Sequence, residues 1–308
     1  MPLINQVRQN RVLTNISVEY SPGMHIANEV FPRVPVAQES DIYYVYDFSG
    51  FNIPEAIRAP RSRYNQVDWS ATTDTYFAQE YGLEQPIDDR ERRNAVGVLN
   101  LDVDSTRNLT NNLLNSRERR ITNLVLATGS YPASHTITLA GVAQWSDPVN
   151  SDPVGDVSAA RTQIQGATGL LPNTIVMGYA VFEALLVHEQ IREYLAEGAL
   201  VTEELLARIF RVERVIVGSV FYNTATEGQT VTLGDLWGTD VVIFHKANTS
   251  PALRTPSFGY QFVAQDFRVF QYRQDEIASD IIRVNEIVAE KMVAPRLGYL
   301  IKSAVAAA

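Results

Sequence analysis

Residue types that commonly catalyse reactions or bind metals are scattered along this chain. The four histidines lie far apart, at His25, His135, His188 and His245. His188 is followed by Glu189, as in the helix of zinc proteases, but the second histidine that would complete that motif is missing. We therefore expect His188 on a helix surface rather than at a metal.

Other motifs for chemistry are also incomplete. Asp147, Asp152 and Asp156 lie in a turn-rich stretch without the spacing of a calcium loop, so turn formation explains them better. Gly166 and Gly169 do not form a phosphate-binding loop, and no G-x-S-x-G elbow occurs. The chain contains no cysteine, which excludes thiolate sites. These observations predict no enzyme, no metal and no cofactor, although an acid pair converging from distant segments stays open as an alternative.

The composition is that of a globular protein. Of the 308 residues, 45% are hydrophobic and 20% are charged, and the apolar runs are too short to span a membrane. The N-terminus lacks the layout of a secretory signal, so we expect a cytosolic site of synthesis and no membrane partner. The net charge of −9 argues against a general nucleic-acid binder but leaves a local basic face open. Only Lys246, Lys291 and Lys302 are lysines, and such arginine preference suits bidentate pairing at interfaces or reflects codon bias.

The most unusual stretch runs from Asp41 to Glu84. Its second half, 67–84, alternates apolar and polar residues with the period of a half-buried strand. As one strand it would measure about 50–55 Å, as long as the diameter of about 50 Å expected for the whole chain. An isolated two-stranded ribbon is marginal in water. The pattern therefore indicates either an arm that lies on another molecule or a strand that bends within an ordinary sandwich.

The rest of the chain divides into recognisable parts. Residues 1–40 contain four prolines and read as an extended tail, and residues 106–128 form a predicted helix with Asp104 or Ser105 as N-cap. Its narrow apolar stripe suits a helix lying across a surface. Its arginines Arg117, Arg119 and Arg120 face either a polyanion or, as the preferred alternative, solvent and ion-pair partners. An α/β pattern follows over 151–279, with strands predicted at 173–178 and 214–218 and a helix capped by Thr202. Long strands are predicted beyond it.

The order of these parts resembles the major capsid proteins of tailed bacteriophages, which share the Hong Kong 97-like fold with encapsulin nanocompartments. Individual stretches are also similar to this family: His25–Val36 to arm segments, Arg58–Arg61 to the extended loop, Pro172–Gly178 to the strand entering the axial domain, and Arg283–Ala289 with Gly298–Lys302 to peripheral strands. The similarity covers nearly the whole chain.

The resemblance implies an α+β fold with five segments. These are an N-terminal arm at 1–40, an extended β-hairpin loop (E-loop) at 41–85, a peripheral domain with a long spine helix at 86–150, an axial α/β domain at 151–279 and returning peripheral strands at 280–308. It implies that the extended loop and arm contact neighbouring subunits through Tyr43, Tyr44, Tyr46, Phe51, Arg58, Arg61, Arg63, Trp69, Phe77 and Phe31. Arg117, Arg119 and Arg120 are then candidates for the inner surface or for ion pairs.

The implied function is a coat subunit that assembles through hexamers and pentamers into an icosahedral head enclosing double-stranded DNA. An encapsulin-like container for a cargo enzyme is the alternative. The expected partners are other copies of the chain, a separate scaffolding protein, a portal protein, a decoration protein and non-specifically contacted DNA, within virions assembled in host cytoplasm. No lysine precedes Lys246, so the lysine-to-asparagine cross-link that some relatives form from this loop is not expected.

Overall fold

The computed structural model describes residues 8–9, 25–46, 53, 56–58, 60–64, 66, 71–95, 100–194, 200–226, 228–230, 232–247 and 256–306. For residues 8, 9, 44, 46 and 71 it describes the backbone alone. The candidate residues Phe51 and Trp69 lie outside the described residues.

The described chain combines strands and α-helices in a mixed order. The strands are β1 (Arg8–Gln9), β2 (Arg33–Pro35), β3 (Ser40–Tyr46), β4 (Ala71–Phe77), β5 (Gln79–Asp88), β6 (Thr136–Thr138), β7 (Thr174–Gly178), β8 (Arg214–Gly218), β9 (Phe221–Asn223), β10 (Leu233–Asp235), β11 (Val241–Phe244), β12 (Gly259–Gln274), β13 (Ser279–Met292) and β14 (Gly298–Lys302). The helices are α1 (Ala27–Val30), α2 (Asp89–Asn94), α3 (Leu101–Val125), α4 (Pro153–Thr168), α5 (Tyr179–Val187), α6 (Glu189–Glu193) and α7 (Glu203–Ile209).

Two five-stranded sheets organise the described chain. The central sheet has the order β6-β14-β11-β7-β8 and mixes parallel and antiparallel neighbours. The outer sheet has the order β1-β12-β13-β5, with β2 parallel to β12. The pairs β3-β4 and β9-β10 form separate hairpins.

Side-chain alternation in the central sheet explains its two apolar faces. Ile175 and Ile243 face the helices α4, α5 and α7, whereas Val176 and Val242 face α1 and the C-terminal half of α3. Because successive side chains in a strand point to opposite faces, these fully buried strands read as continuous apolar runs. The sheet is therefore covered on both sides.

Helix α3 joins the two sheets. Its N-terminal half packs Leu109 and Leu113 against the outer sheet, and its C-terminal half packs Ile121 and Val125 against the central sheet. At 25 residues it is roughly 37 Å long. The predicted start was wrong: the helix begins at Leu101, because the Asn100 side chain accepts the N–H of Val103 and caps it.

The alternating stretch 67–84 does not form one uninterrupted strand, because its described residues form two strands in two different sheets. β4 ends at Phe77 and pairs with β3, while β5 begins at Gln79 and pairs with β13. Between them, the N–H of Ala78 donates to the carbonyl of Glu39 at 2.7 Å. The alternation of apolar and polar residues continues across this break, although the pairing partner changes from β3 to β13.

Two of the predicted segment boundaries cut across the sheets. β12 falls in the predicted axial segment but pairs along its length with β13 in the outer sheet. β14 falls in the predicted returning peripheral strands but lies inside the central sheet, between β6 and β11. Both errors arise because sheet partners are distant in sequence.

We expect Gly218→Ala to destabilise the protein by about 1–3 kcal/mol, because the added Cβ would overlap the indole ring of Trp237, which is 1% exposed. Gly166→Ala is the matched control. Gly166 lies in α4 with no atom within 4 Å of an added Cβ, so this change should stabilise by about 0.5–1 kcal/mol. Urea denaturation measures both. Equal effects of the two substitutions would contradict the packing at Gly218.

Candidate functional site

The base of the β3-β4 hairpin is fixed to the body by aromatic packing. Tyr76 stacks on Phe262 with ring centroids 4.4 Å apart, and Tyr43 packs on the same ring at 5.5 Å. The Tyr43 hydroxyl donates to Asp74 Oδ2 at 2.6 Å. Burial and this carboxylate raise the pKa of Tyr43 well above its usual value. The base therefore belongs to the chain's own core.

The face of the hairpin base opposite Tyr43 and Tyr76 presents exposed side chains. Ile42 is 50% exposed and Phe77 is 65% exposed. In the described part of the following loop, Ile53 and Ile57 are 97% and 82% exposed. Such clustering of exposed large apolar residues is typical of an interaction surface.

The three loop arginines also lie on the exterior. Arg58, Arg61 and Arg63 are exposed, and none of them has a carboxylate within 4.0 Å among the described residues. Arg58 lies over the ring of Tyr64 at 4.3 Å and donates to the carbonyl of Ser62. The loop thus carries unpaired positive charge beside exposed apolar groups.

Phe31 and Tyr43 were predicted to contact a neighbouring subunit, and the structure corrects both predictions. Phe31 is 0% exposed and packs against Phe258 and a face of the central sheet, and Tyr43 is 3% exposed. Neither side chain is available to a neighbouring molecule. For Tyr44 and Tyr46 the structure describes only strand backbone, and Phe77 remains exposed.

The arginines of α3 form ion pairs within the chain. Arg117, 1% exposed, pairs with Glu286 of β13, whose side chain is 0% exposed, and lies over the ring of Phe267 at 4.7 Å. Arg120 pairs with Glu290 at 2.6 Å and lies over the ring of Tyr81.

The guanidinium of Arg119 lies 5.4 Å from the ring centre of Tyr222, apart from these ion pairs. Of the two sequence interpretations, ion pairing therefore applies to Arg117 and Arg120.

A buried carboxylate on α3 holds the segment around α1. Glu118 accepts the N–H of Ala27 at 2.7 Å, the N–H of Ile26 at 3.3 Å and the indole N–H of Trp237 at 2.8 Å. Burial raises the pKa of Glu118, while these three donors act in the opposite direction. Sequence analysis missed Glu118, because its partners lie about 90 and 119 residues away and no local pattern marks it.

The scattered histidines and aspartates have structural roles. His188 is buried rather than on a helix surface, and it contacts the Ser151 hydroxyl at 2.9 Å and accepts the N–H of Gln190. Asp152 caps α4, and Asp147 accepts backbone N–H groups in a turn, as predicted. Within the part of the chain that the structure describes, no three histidine, aspartate or glutamate side chains cluster to hold a metal. No described helix is both long and apolar enough to cross a bilayer.

Comparison with known proteins agrees with this architecture. Residues 130–256 match the family model described as phage major capsid protein E. The chain is 32% identical to the major capsid protein of Pseudomonas phage JBD67, over 96% of both chains. It is 26% identical to the major capsid protein of Burkholderia phage BcepMu, over 94% of both chains.

Solved structures show the same fold. A phage-related protein from Bordetella bronchiseptica RB50 superposes with a TM-score of 0.76 at 25% identity, covering 96% of this chain and 97% of that one. The mature capsid of bacteriophage PhiM1 superposes with a TM-score of 0.56 at 13% identity, covering 92% and 89%. The fold is α+β and Hong Kong 97-like, as the resemblance implied.

The named relatives also bear on the two alternatives left by the sequence. Both are phage coat proteins, and nothing in these matches favours an encapsulin-like container. Because 32% identity extends over nearly the full length of both chains, this protein belongs to the family of tailed-phage major capsid proteins.

Proposed function

We propose that this chain assembles through hexamers and pentamers into an icosahedral phage head that encloses double-stranded DNA. The observation that carries the proposal is the β3-β4 hairpin, which is fixed to the body through one face of its base and exposed on the other. Two strands alone bury too little surface to be stable in water. A neighbouring subunit supplies the missing burial when the hairpin and the loop 47–70 lie on it.

The described sheets suggest how the segments are used. The outer sheet with α3 serves as the peripheral domain, and the central sheet with α4 to α7 serves as the axial domain that meets its copies at capsomer centres. Residues 1–40 serve as the arm, and β3, β4 and the loop 47–70 serve as the extended loop, whereas β5 belongs to the outer sheet. Residues Ile42, Phe77, Arg58, Arg61 and Arg63 are the described candidates for contact with a neighbour.

The other partners follow from the same proposal. A separate scaffolding protein guides assembly, a portal protein occupies one vertex, and a decoration protein binds the outer surface. DNA is contacted without sequence preference, and because the net charge is −9 this contact requires a local basic face. The subunit has no enzymatic activity, and it is assembled in host cytoplasm and carried in the virion.

Replacing residues 47–70 by Asn-Gly should abolish shell formation and leave a folded, soluble subunit. Asn-Gly closes a two-residue turn, so Tyr46 and Ala71 can remain paired while the loop is removed. Electron microscopy and sedimentation measure shells, and circular dichroism measures folding. Ser62→Ala, within the same loop, is the control that should assemble normally. Normal shells from the Asn-Gly variant would refute the proposal.

A further inference from the structure

A surface pocket lies between α4 and α7, away from the hairpin. Its volume is about 390 Å³. Its lining combines apolar side chains with three arginines: Leu205, Ile209, Phe210, Arg161, Arg208 and Arg211. A pocket of this composition suits a ligand with an anionic group and a short apolar part.

The three arginines lack acidic partners. Among the described residues, no carboxylate lies within 4.0 Å of Arg161, Arg208 or Arg211, whereas Arg117, Arg120 and other arginines of the chain are paired. The Nε atom of Arg161 is buried without a hydrogen-bond partner. Leaving such a donor unpaired costs free energy that a bound anion would recover.

The electrostatics of the pocket agree with this geometry. Burial lowers the pKa of Arg161, and the neighbouring charge of Arg211 lowers it further. The guanidinium groups therefore repel one another across a partly desolvated space. An anion placed between them would be stabilised by both charges, because Arg binds carboxylates and phosphates through paired N–H groups.

A complementary segment lies at the other end of α7. Leu200 is 84% exposed, and it is followed by Glu203 and Glu204, which are exposed and have no basic partner within 4.0 Å among the described residues. This segment offers one apolar side chain and two carboxylates. Its composition matches the lining of the pocket.

The geometry of α7 separates the two features within one chain. The acidic residues begin the helix, Arg208 lies near its end and Arg211 just beyond it, and the helix rises about 6–8 Å between the acidic residues and Arg208. Even Glu204, one turn before Arg208, is not within 4.0 Å of it. Two different surfaces that complement each other generate rings when copies associate head to tail.

We propose that this pocket binds the Leu200–Glu204 segment of a second copy of the chain in the assembled shell. Leu200 packs on the apolar lining, and Glu203 and Glu204 pair with the arginines. This inference rests on the proposed function, since it requires assembly, and it assigns one contact within a ring of axial domains.

Engineered cysteines test the contact directly, because the natural chain has none. Ser158 lines the pocket and is exposed, so Ser158→Cys is made in one preparation and Leu200→Cys, with an affinity tag, in another. The two are mixed, assembled and oxidised in air. We expect a mixed disulfide dimer on a non-reducing gel, with a yield at least about tenfold higher than in a control. In the control, Val142→Cys replaces Leu200→Cys, and Val142 is 67% exposed.

The outcomes separate this inference from the proposed function. Shells without the mixed dimer would overturn the pocket contact and leave assembly intact. Absence of shells from the unmodified chain would instead overturn the proposed function, and the pocket contact with it.

Charge reversal provides an independent measurement. Arg161→Glu with Arg208→Glu should lower the assembled fraction at least about tenfold, and adding Glu203→Arg with Glu204→Arg should restore it. Circular dichroism confirms folding, and Arg161→Gln with Arg208→Gln serves if the reversal unfolds the chain. Unchanged assembly with less retained DNA would show that the pocket binds nucleic-acid phosphate, and this would overturn the proposal.

Discussion

Replacing Glu286 by alanine is expected to lower the free energy of unfolding by about 3–5 kcal/mol. The side chains of Glu286 and Arg117 are 0% and 1% exposed, so the substitution leaves an uncompensated guanidinium in the interior. It also removes a carboxylate near Arg120, whose remaining partner is Glu290. Because α3 meets the outer sheet through these groups, the loss affects the contact between spine helix and strand. Urea denaturation of unassembled subunits measures it.

Glu84→Ala is the matched control for Glu286→Ala. Glu84 pairs with Arg283 on the same sheet, but the two side chains are 42% and 40% exposed. Exposed pairs contribute at most about 1 kcal/mol, because water and salt screen them. A similar loss from both substitutions would show that Arg117 is hydrated in the folded chain, contrary to the structure.

Glu118→Ala is expected to cost about 2–4 kcal/mol, since it leaves the buried donors of Ile26, Ala27 and Trp237 without their acceptor. The effect should concentrate on the segment around α1, so limited proteolysis near residues 25–31 should accelerate. Trp237→Phe removes one donor and keeps the carboxylate, and it should cost about half as much. An unaltered proteolysis rate in Glu118→Ala would contradict the role of Glu118 as an anchor.

The loss from Glu118→Ala should also depend on pH in a defined direction. Burial raises the folded-state pKa of Glu118 above its ordinary value of 4.5, so the folded chain binds this proton more tightly than the unfolded chain. The stabilising contribution is therefore full below pH 4.5 and decreases as pH rises through the folded-state pKa. Urea denaturation at increasing pH should show the two proteins converging; divergence would mean that the folded-state pKa is lowered.

Local signals predicted much of the fold from the sequence. Thr202 was predicted to cap a helix, and its side chain does accept the N–H of Leu205 at the start of α7. The strand predicted at 173–178 is β7, and 214–218 is β8. In each case the feature that determines the element, a helix cap or a short apolar run, lies within a few residues of it.

Predictions that depended on distant partners were the ones that failed. The start of α3 is an exception, since Asp104 and Ser105 are plausible caps in isolation but Asn100, a few residues earlier, supplies the cap. The burial of Tyr43 depends on Phe262, which is more than 200 residues away, so the hairpin pattern could not distinguish its fixed base from its exposed part. Neither local patterns nor the resemblance supplied the sheet order, in which β12 lies in the outer sheet and β14 in the central sheet.

The candidate contact residues also divide into those that the structure places on the exterior and those that it buries. Arg58, Arg61 and Arg63 were selected because they lie in a loop between two strands, and the structure places them on the exterior. Phe31 was selected because it lies in a proline-rich tail, yet it is fully buried against Phe258. Proline content indicates an extended backbone but does not indicate which surface covers its side chains.

The placement of β14 has a consequence for biosynthesis. This strand comprises residues 298–302 and lies between β6 and β11, so the central sheet has a gap until β14 emerges from the ribosome. A nascent chain therefore exposes two unsatisfied strand edges and cannot present a finished subunit. We therefore expect a chain truncated before β14 to leave the central sheet open between β6 and β11 and not to fold.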